Sequence, residues 1–153
     1  MHWLDHKIPP PVVGALVAAG MWGAAALGPQ CSIPSGHTLW AVAILAAAGV
    51  VFDLLGLLAF RAARTTINPL TPGNTSALVT GGVYRFTRNP MYVGMALLLL
   101  AWAAYLCALL PFVGIVAFVL YITRFQIAPE EQALKRIFGE QYASYAARVR
   151  RWL

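Results

Sequence analysis

Polar side chains able to do chemistry are few in this chain, and they gather in two stretches. The first, Leu78–Gly94 (LVTGGVYRFTRNPMYVG), carries Tyr84, Arg85, Arg88, Asn89 and Tyr92 on glycine-broken backbone. The second, Pro129–Trp152, opens on Glu130-Glu131 and continues through Arg136 and Tyr142. Paired carboxylates can hold a cation or accept a proton, and an arginine can orient an anionic group. Asn89 can donate and accept hydrogen bonds but cannot titrate, so it is a binder or a cap and not a base. Its place before Pro90 is that of an N-cap with proline at the first helical position.

Other chemistries find little support. No glycine-rich dinucleotide fingerprint or P-loop occurs. The three histidines, His2, His6 and His37, fall on the amino-terminal lead-in and an outer loop, so no metal site is expected. Cys31 and Cys107 are the only cysteines, without metal-ligand spacing. The net charge of +6 reads as orientation in a membrane and not as nucleic-acid affinity.

The elements that must position these residues are apolar. Hydrophobic residues make up 60% and charged residues 10% of the 153, against about a quarter charged in soluble domains. Mean hydropathy is +0.70. The expected fold is all-α and integral to the membrane, with four transmembrane helices. A cytoplasmic loop and amphipathic helices after the fourth span would converge on one polar face, where a site could lie. Residues 1–60 contribute two anchoring spans, Pro11–Leu27 and Thr38–Phe60, about 26 and 34 Å long as helices. Met1 precedes the first run, which is read as retained and not removed as a signal peptide.

Residues 61–153 form the core. Thr65–Arg88 is an irregular stretch of about 24 residues, a length that is usually functional or disordered. Met91–Leu110 and the run from Phe112 to Ala128 make a hairpin turning at Pro111. Leu134, Ile137, Phe138, Tyr142, Tyr145, Val149 and Trp152 then recur at three- and four-residue spacing, the pattern of a helix with one apolar face. Gly139 divides that region into two short helices.

Four spans put residues 1–10, the 61–90 loop and the region after Pro129 on one side, together with all eleven lysines and arginines. That side is cytoplasmic by the positive-inside rule. The expectation is a multi-pass protein of a bacterial inner membrane with both termini cytoplasmic. Cys31 and Cys107 both lie toward the outer side, where a disulfide is compatible with an oxidising compartment.

The two stretches in this order, separated by a hydrophobic hairpin, resemble the isoprenylcysteine carboxyl methyltransferase and phospholipid methyltransferase family. The family pattern is roughly LV-x-x-G-x-Y-x-x-x-R-(H/N)-P-x-Y-x-G. It is followed by E-E-x-x-L-x-x-x-(F/Y)-G-x-x-Y-x-x-Y, matched here by EEQALKRIFGEQYASY. The resemblance covers about residues 61–153 and implies an integral membrane enzyme using S-adenosylmethionine. It assigns Arg88, Asn89, Pro90 and Tyr92, with Leu78, Val79, Gly82 and Tyr84, to the cofactor pocket. Glu130 and Glu131 complete that pocket. Arg136 matches a position near the methyl acceptor, which makes Glu130 and Arg136 the candidate catalytic residues. The eukaryotic carboxyl methyltransferases carry histidine at the position of Asn89.

The acceptor stays open. A carboxylate such as isoprenylcysteine needs only a cation to orient it, for which Arg136 is the candidate. An amine such as phosphatidylethanolamine, or a thiol, needs a proton acceptor, for which Glu130 or Glu131 is nearest. Asp53 and Arg124, the charges inside apolar runs, are expected to pair or to share an acceptor pocket with Arg136 and Tyr142. Expected partners are the bilayer and a lipophilic or small acceptor, with neither nucleic acid nor metal.

Quieter readings stand beside these. Asn89-Pro90 and Glu130-Glu131 suit helix starts, and Tyr142 and Tyr145 suit a buried helix face. Arg85, Arg88, Arg148, Arg150 and Arg151 suit anionic lipid. A non-catalytic membrane assembly protein is the alternative outside enzymes, and a sterol-reductase-like nicotinamide enzyme the alternative within them.

Overall fold

A computed structural model describes residues 8–29, 36–63 and 77–153, which form helices and connecting turns. In chain order these are α1 (Pro10–Ala25), α2 (Gly36–Ala62), a 3-10 turn (Gly82–Arg85), α3 (Pro90–Leu106), α4 (Pro111–Ile122), a π turn (Thr123–Ile127) and α5 (Ala128–Arg148). His2, His6, Cys31, Arg64 and the first half of the irregular stretch after it lie outside the described residues. Cys107, just past the end of α3, is disulfide-bonded.

Prolines set the helix starts. Pro10, Pro90 and Pro111 each occupy one of the first two helical positions, where the missing N–H costs nothing. Gly36–Ala62 and the helical stretch from Pro111 are long and apolar enough to cross a membrane. Pro10–Ala25 and Pro90–Leu106 are apolar but shorter. Along α2, Trp40, Ile44, Val51, Leu55 and Leu58 stay exposed, a surface that suits lipid better than water.

α3 is the central helix, flanked by α2 and α4, and α1 packs on both α3 and α4. The α2–α3 seam is close because glycine lines it. A Cβ on Gly49 would lie 2.9 Å from the Gly94 carbonyl oxygen, and one on Gly56 would lie 2.7 Å from Met91 Cγ. Small residues at such seams let backbones approach where lipid removes any hydrophobic gain from helix association. Beyond the seam, Val13 and Met21 of α1 meet Tyr92, Leu99 and Ala103 of α3 and Phe118 and Ile122 of α4.

The region after α4 differs from expectation in one respect. No break separates it from α5, because the chain passes through one π turn and continues as helix across Pro129. Proline is tolerated there because the π turn has already shifted the backbone register. Gly139 does interrupt the helix, at φ 47° and ψ −121°, a conformation open to glycine and to few other residues.

Candidate functional site

The loop before α3 is tied down from three sides. The Phe60 ring at the end of α2 meets the Tyr84 ring edge-on, with centroids 5.5 Å apart. The Tyr145 hydroxyl of α5 donates to the Tyr84 carbonyl at 2.8 Å. The Arg88 N–H donates to the Arg150 carbonyl at 2.9 Å. Burial, with the charges of Tyr145 and Glu130 adding to it, holds the Tyr84 hydroxyl far above its ordinary value, so it remains a neutral donor.

This framework delivers two contacts between the sequence stretches. The Tyr92 hydroxyl, in the first turn of α3, donates to Glu130 Oε1 at 2.7 Å. Arg88 Nη2 lies 3.1 Å from Glu131 Oε1, and its Nη1 donates to the Tyr142 hydroxyl at 3.3 Å. Glu131 also receives a two-pronged grip from Arg151, Nε to Oε1 at 3.0 Å and Nη2 to Oε2 at 2.6 Å. Adjacent acids on one helix thus take separate partners.

Both acids lie beyond the apolar run, which ends at Ala128. Burial pushes the Glu130 carboxyl up to about 7, opposed by the Tyr92 hydrogen bond and assisted by the charge on Glu131. The hydrogen bonds to Glu131 raise the Arg151 guanidinium further above its already high value, so it stays charged. Arg88 Nε is buried and makes no hydrogen bond. A buried guanidinium N–H without an acceptor is costly.

Asn89 sits at the N-cap position of α3, but its side chain does not cap that helix. Its Nδ2 instead donates to the Arg151 carbonyl at 2.9 Å. Leu78 and Val79 are half-buried, outside any helix. Gly82 is exposed and takes a left-handed φ of 59°. Pro90 is buried and packs beside Gly56.

The residues expected on the acceptor side are more scattered. Arg136 is exposed on α5 and enters none of the contacts above. Asp53 and Arg124 are not brought together as an ion pair among the described residues. Asp53 lies on the α2–α3 seam, its Oδ1 buried against Gly94 without a hydrogen bond. Arg124 is in the π turn beyond α4, with its guanidinium 5.4 Å from the centroid of the Phe125 ring. The two helices lie on different sides of α3, which separates the charges.

Sequence reasoning missed two participants. Thr87 is fully buried, accepts from the Asn89 N–H at 3.2 Å and donates to the Arg151 carbonyl at 3.2 Å. Arg151 suits a lipid contact at least as well as a site residue in the sequence, and its grip on Glu131 is not legible there. Among the described residues, no group of three metal-ligating side chains is placed to hold an ion.

Apolar helices that bring Arg88, Tyr92, Glu130, Glu131, Tyr142 and Arg151 together define a membrane protein with a polar cluster among the described residues. The phospholipid methyltransferase family pattern matches residues 37–141, and the chain belongs to that family. A Haemophilus influenzae protein described as uncharacterized is 46% identical over 63 residues, 41% of this chain and 100% of that protein. Protein-S-isoprenylcysteine O-methyltransferase B of Arabidopsis thaliana is 40% identical over 75 residues, 47% of this chain and 36% of that enzyme. The mouse protein-S-isoprenylcysteine O-methyltransferase is 38% identical over 79 residues, 50% of this chain and 27% of that enzyme. The matches therefore span about a third or less of these named relatives. No solved structure matches.

Proposed function

We propose that this chain is an integral membrane methyltransferase that takes its methyl group from S-adenosylmethionine and delivers it to a lipophilic or small acceptor. The observation that carries this reading is the meeting of Arg88 and Tyr92 with Glu131 and Glu130, at 3.1 and 2.7 Å. The residues suit such a donor. Two carboxylates complement its cationic centres and ribose hydroxyls, and the unpartnered Arg88 Nε complements its carboxylate. When bound, S-adenosylmethionine supplies a methyl group activated on a sulfonium sulfur.

The chain's own residues would then bind, orient and exclude water. Glu130, held by Tyr92, fixes a hydrogen-bonding or cationic group. Glu131 holds Arg88 against the Tyr142 hydroxyl. Holding two reactants in attack geometry can supply roughly 7–11 kcal/mol of the barrier. For an amine or thiol acceptor, Glu130 also serves as proton acceptor, since a carboxyl near 7 is poised for that role at neutral pH. For a carboxylate acceptor, no base is needed and Arg136 orients the substrate.

In this reading the four apolar helices span the bilayer with both termini cytoplasmic. The donor enters from the cytoplasm and the acceptor from the lipid. Titration calorimetry of the solubilised protein with S-adenosylmethionine and separately with NADPH tests it. Saturable binding of the first alone, lost in Tyr92→Ala and Glu130→Ala variants that keep their helical content, is expected. Binding of NADPH alone, or of neither, overturns the reading. Labelled S-adenosylmethionine with a panel of membrane lipids and prenylcysteines then identifies the acceptor.

A further inference from the structure

After Arg148 the helix stops, and Val149 turns extended at φ −119° and ψ 131°. The next three residues run beside the loop that precedes α3. The Arg150 carbonyl accepts from the Arg88 N–H. The Arg151 carbonyl accepts from both Asn89 Nδ2 and Thr87 Oγ1. Farther on, Trp152 Nε1 donates to Thr123 Oγ1 at 3.2 Å, fastening the segment to the π turn. This segment lies beyond the 37–141 family match.

We propose that Val149–Trp152 is a positioning strap for the donor site, and that Arg151 sets which N–H of Arg88 is left for the ligand. The inference rests on the methyl-donor reading above. Glu131 has two arginines within reach. Arg151 occupies both carboxylate oxygens, at 3.0 and 2.6 Å, so Arg88 reaches Oε1 with Nη2 alone. Arg88 Nη1 is directed to Tyr142, and Nε remains buried without a partner. A free carboxylate prefers the two-pronged guanidinium geometry. Without Arg151, Glu131 would turn to grip Arg88 through Nε and Nη2, closing off the N–H that the donor uses. Arg151 therefore acts through Glu131 and does not touch the ligand.

The test is calorimetric binding of S-adenosylhomocysteine to the full-length protein in detergent. Arg151→Gln is expected to weaken binding about tenfold, the usual scale for one hydrogen bond to a charged group. Arg151→Lys keeps the charge but not the fork, so its loss is expected to be intermediate. It also supplies the answer should the glutamine variant fail to fold. Adding Arg151→Gln to Glu131→Gln is expected to cost no affinity beyond the loss that Glu131→Gln gives alone, because Arg151 acts through that carboxylate. A strap that merely supports folding would give additive losses tracking the thermal midpoint. Wild-type affinity in Arg151→Gln or in Arg151→Lys, or additive losses, overturns the strap proposal while leaving the methyl-donor reading intact. Absence of binding by the wild-type protein overturns both.

Discussion

The two flanks of α3 are held by different physics. Toward α2 the contact is steric: Gly49 and Gly56 on one helix and Gly94 on the other bring backbones together. Toward α5 it is polar: Tyr92 bonds Glu130, and Arg88 in the preceding loop bonds Glu131 and Tyr142. Tyr92 and Gly94 are two residues apart, yet they serve opposite seams. A glycine seam asks only that nothing larger be present. A polar seam fixes direction, because each donor must find its acceptor in a medium where an unpaired group is costly. Changes on the α2 flank should therefore cost stability. Changes on the α5 flank should cost donor binding out of proportion to stability.

The largest expected effect is steric. A Cβ on Gly94 would fall 2.7 Å from both the Gly49 carbonyl oxygen and Asp53 Cγ, neither of which can swing away as a long side chain would. Gly94→Ala should destabilise by about 3 kcal/mol, the upper end for overpacking a tight core. Gly56→Ala should cost less, since its Cβ meets the flexible Met91. Thermal unfolding in detergent measures both. An unshifted midpoint for Gly94→Ala would show that the α2 flank is looser than described.

Next comes the ion-pair cluster. Glu131→Gln removes the counter-ion of Arg88 and Arg151, whose side chains are 14% and 39% exposed. Breaking a fully buried pair costs about 3–5 kcal/mol, and partial exposure reduces that here to about 2 kcal/mol. Donor affinity should fall by about a hundredfold, more than the helical content suggests, if the polar flank is the donor site. A loss of stability with unchanged donor affinity would make this cluster a scaffold and move the binding site elsewhere.

A smaller effect should appear in pH. The Glu130 carboxyl sits at about 7 in the folded chain against 4.5 as its ordinary value. Between these values the folded protein holds a proton that the unfolded chain releases. The sign follows: stability is fully present below the lower value and is lost as pH rises toward the upper one. Glu130→Gln should flatten that decline by on the order of 1 kcal/mol between about pH 5 and pH 7. Parallel pH profiles for the two proteins would show that Glu130 titrates as an ordinary surface acid.

The polar flank was legible in the sequence as proximity. Arg88-Asn89-Pro90 and Glu130-Glu131 are separated by a hydrophobic hairpin, and a hairpin returns its ends to one face. Pro90 marked a helix start, Pro111 the hairpin turn and Gly139 the kink. Other features left no trace. Asn89 has the sequence position of a cap, but its amide goes to the Arg151 carbonyl, and every residue carries a carbonyl. The π turn has no residue signature, so Pro129 read as a fresh helix start when it only continues one. The Asp53–Arg124 expectation rested on both being charges in apolar runs. Depth along a helix does not say which way it faces, and here α3 stands between their helices.

The smallest expected effect is the most selective. Arg136 lies exposed on α5 and joins neither seam, so Arg136→Ala should change stability by no more than about 0.5 kcal/mol. Donor affinity should also be unchanged, because Arg88, Tyr92, Glu130 and Glu131 keep their partners. What remains for Arg136 is the acceptor. If the acceptor is a carboxylate, losing the cation should lower kcat/KM by about tenfold while leaving donor KM alone, the scale of one charged hydrogen bond. If it is an amine, the same substitution should do nothing or help slightly, since a cation repels a protonated amine. Steady-state kinetics on the identified acceptor therefore reads the charge of the substrate from one exposed side chain. A fall in donor affinity would instead mean that α5 closes on the donor along both of its faces, and the division between the two flanks of α3 would have to be redrawn.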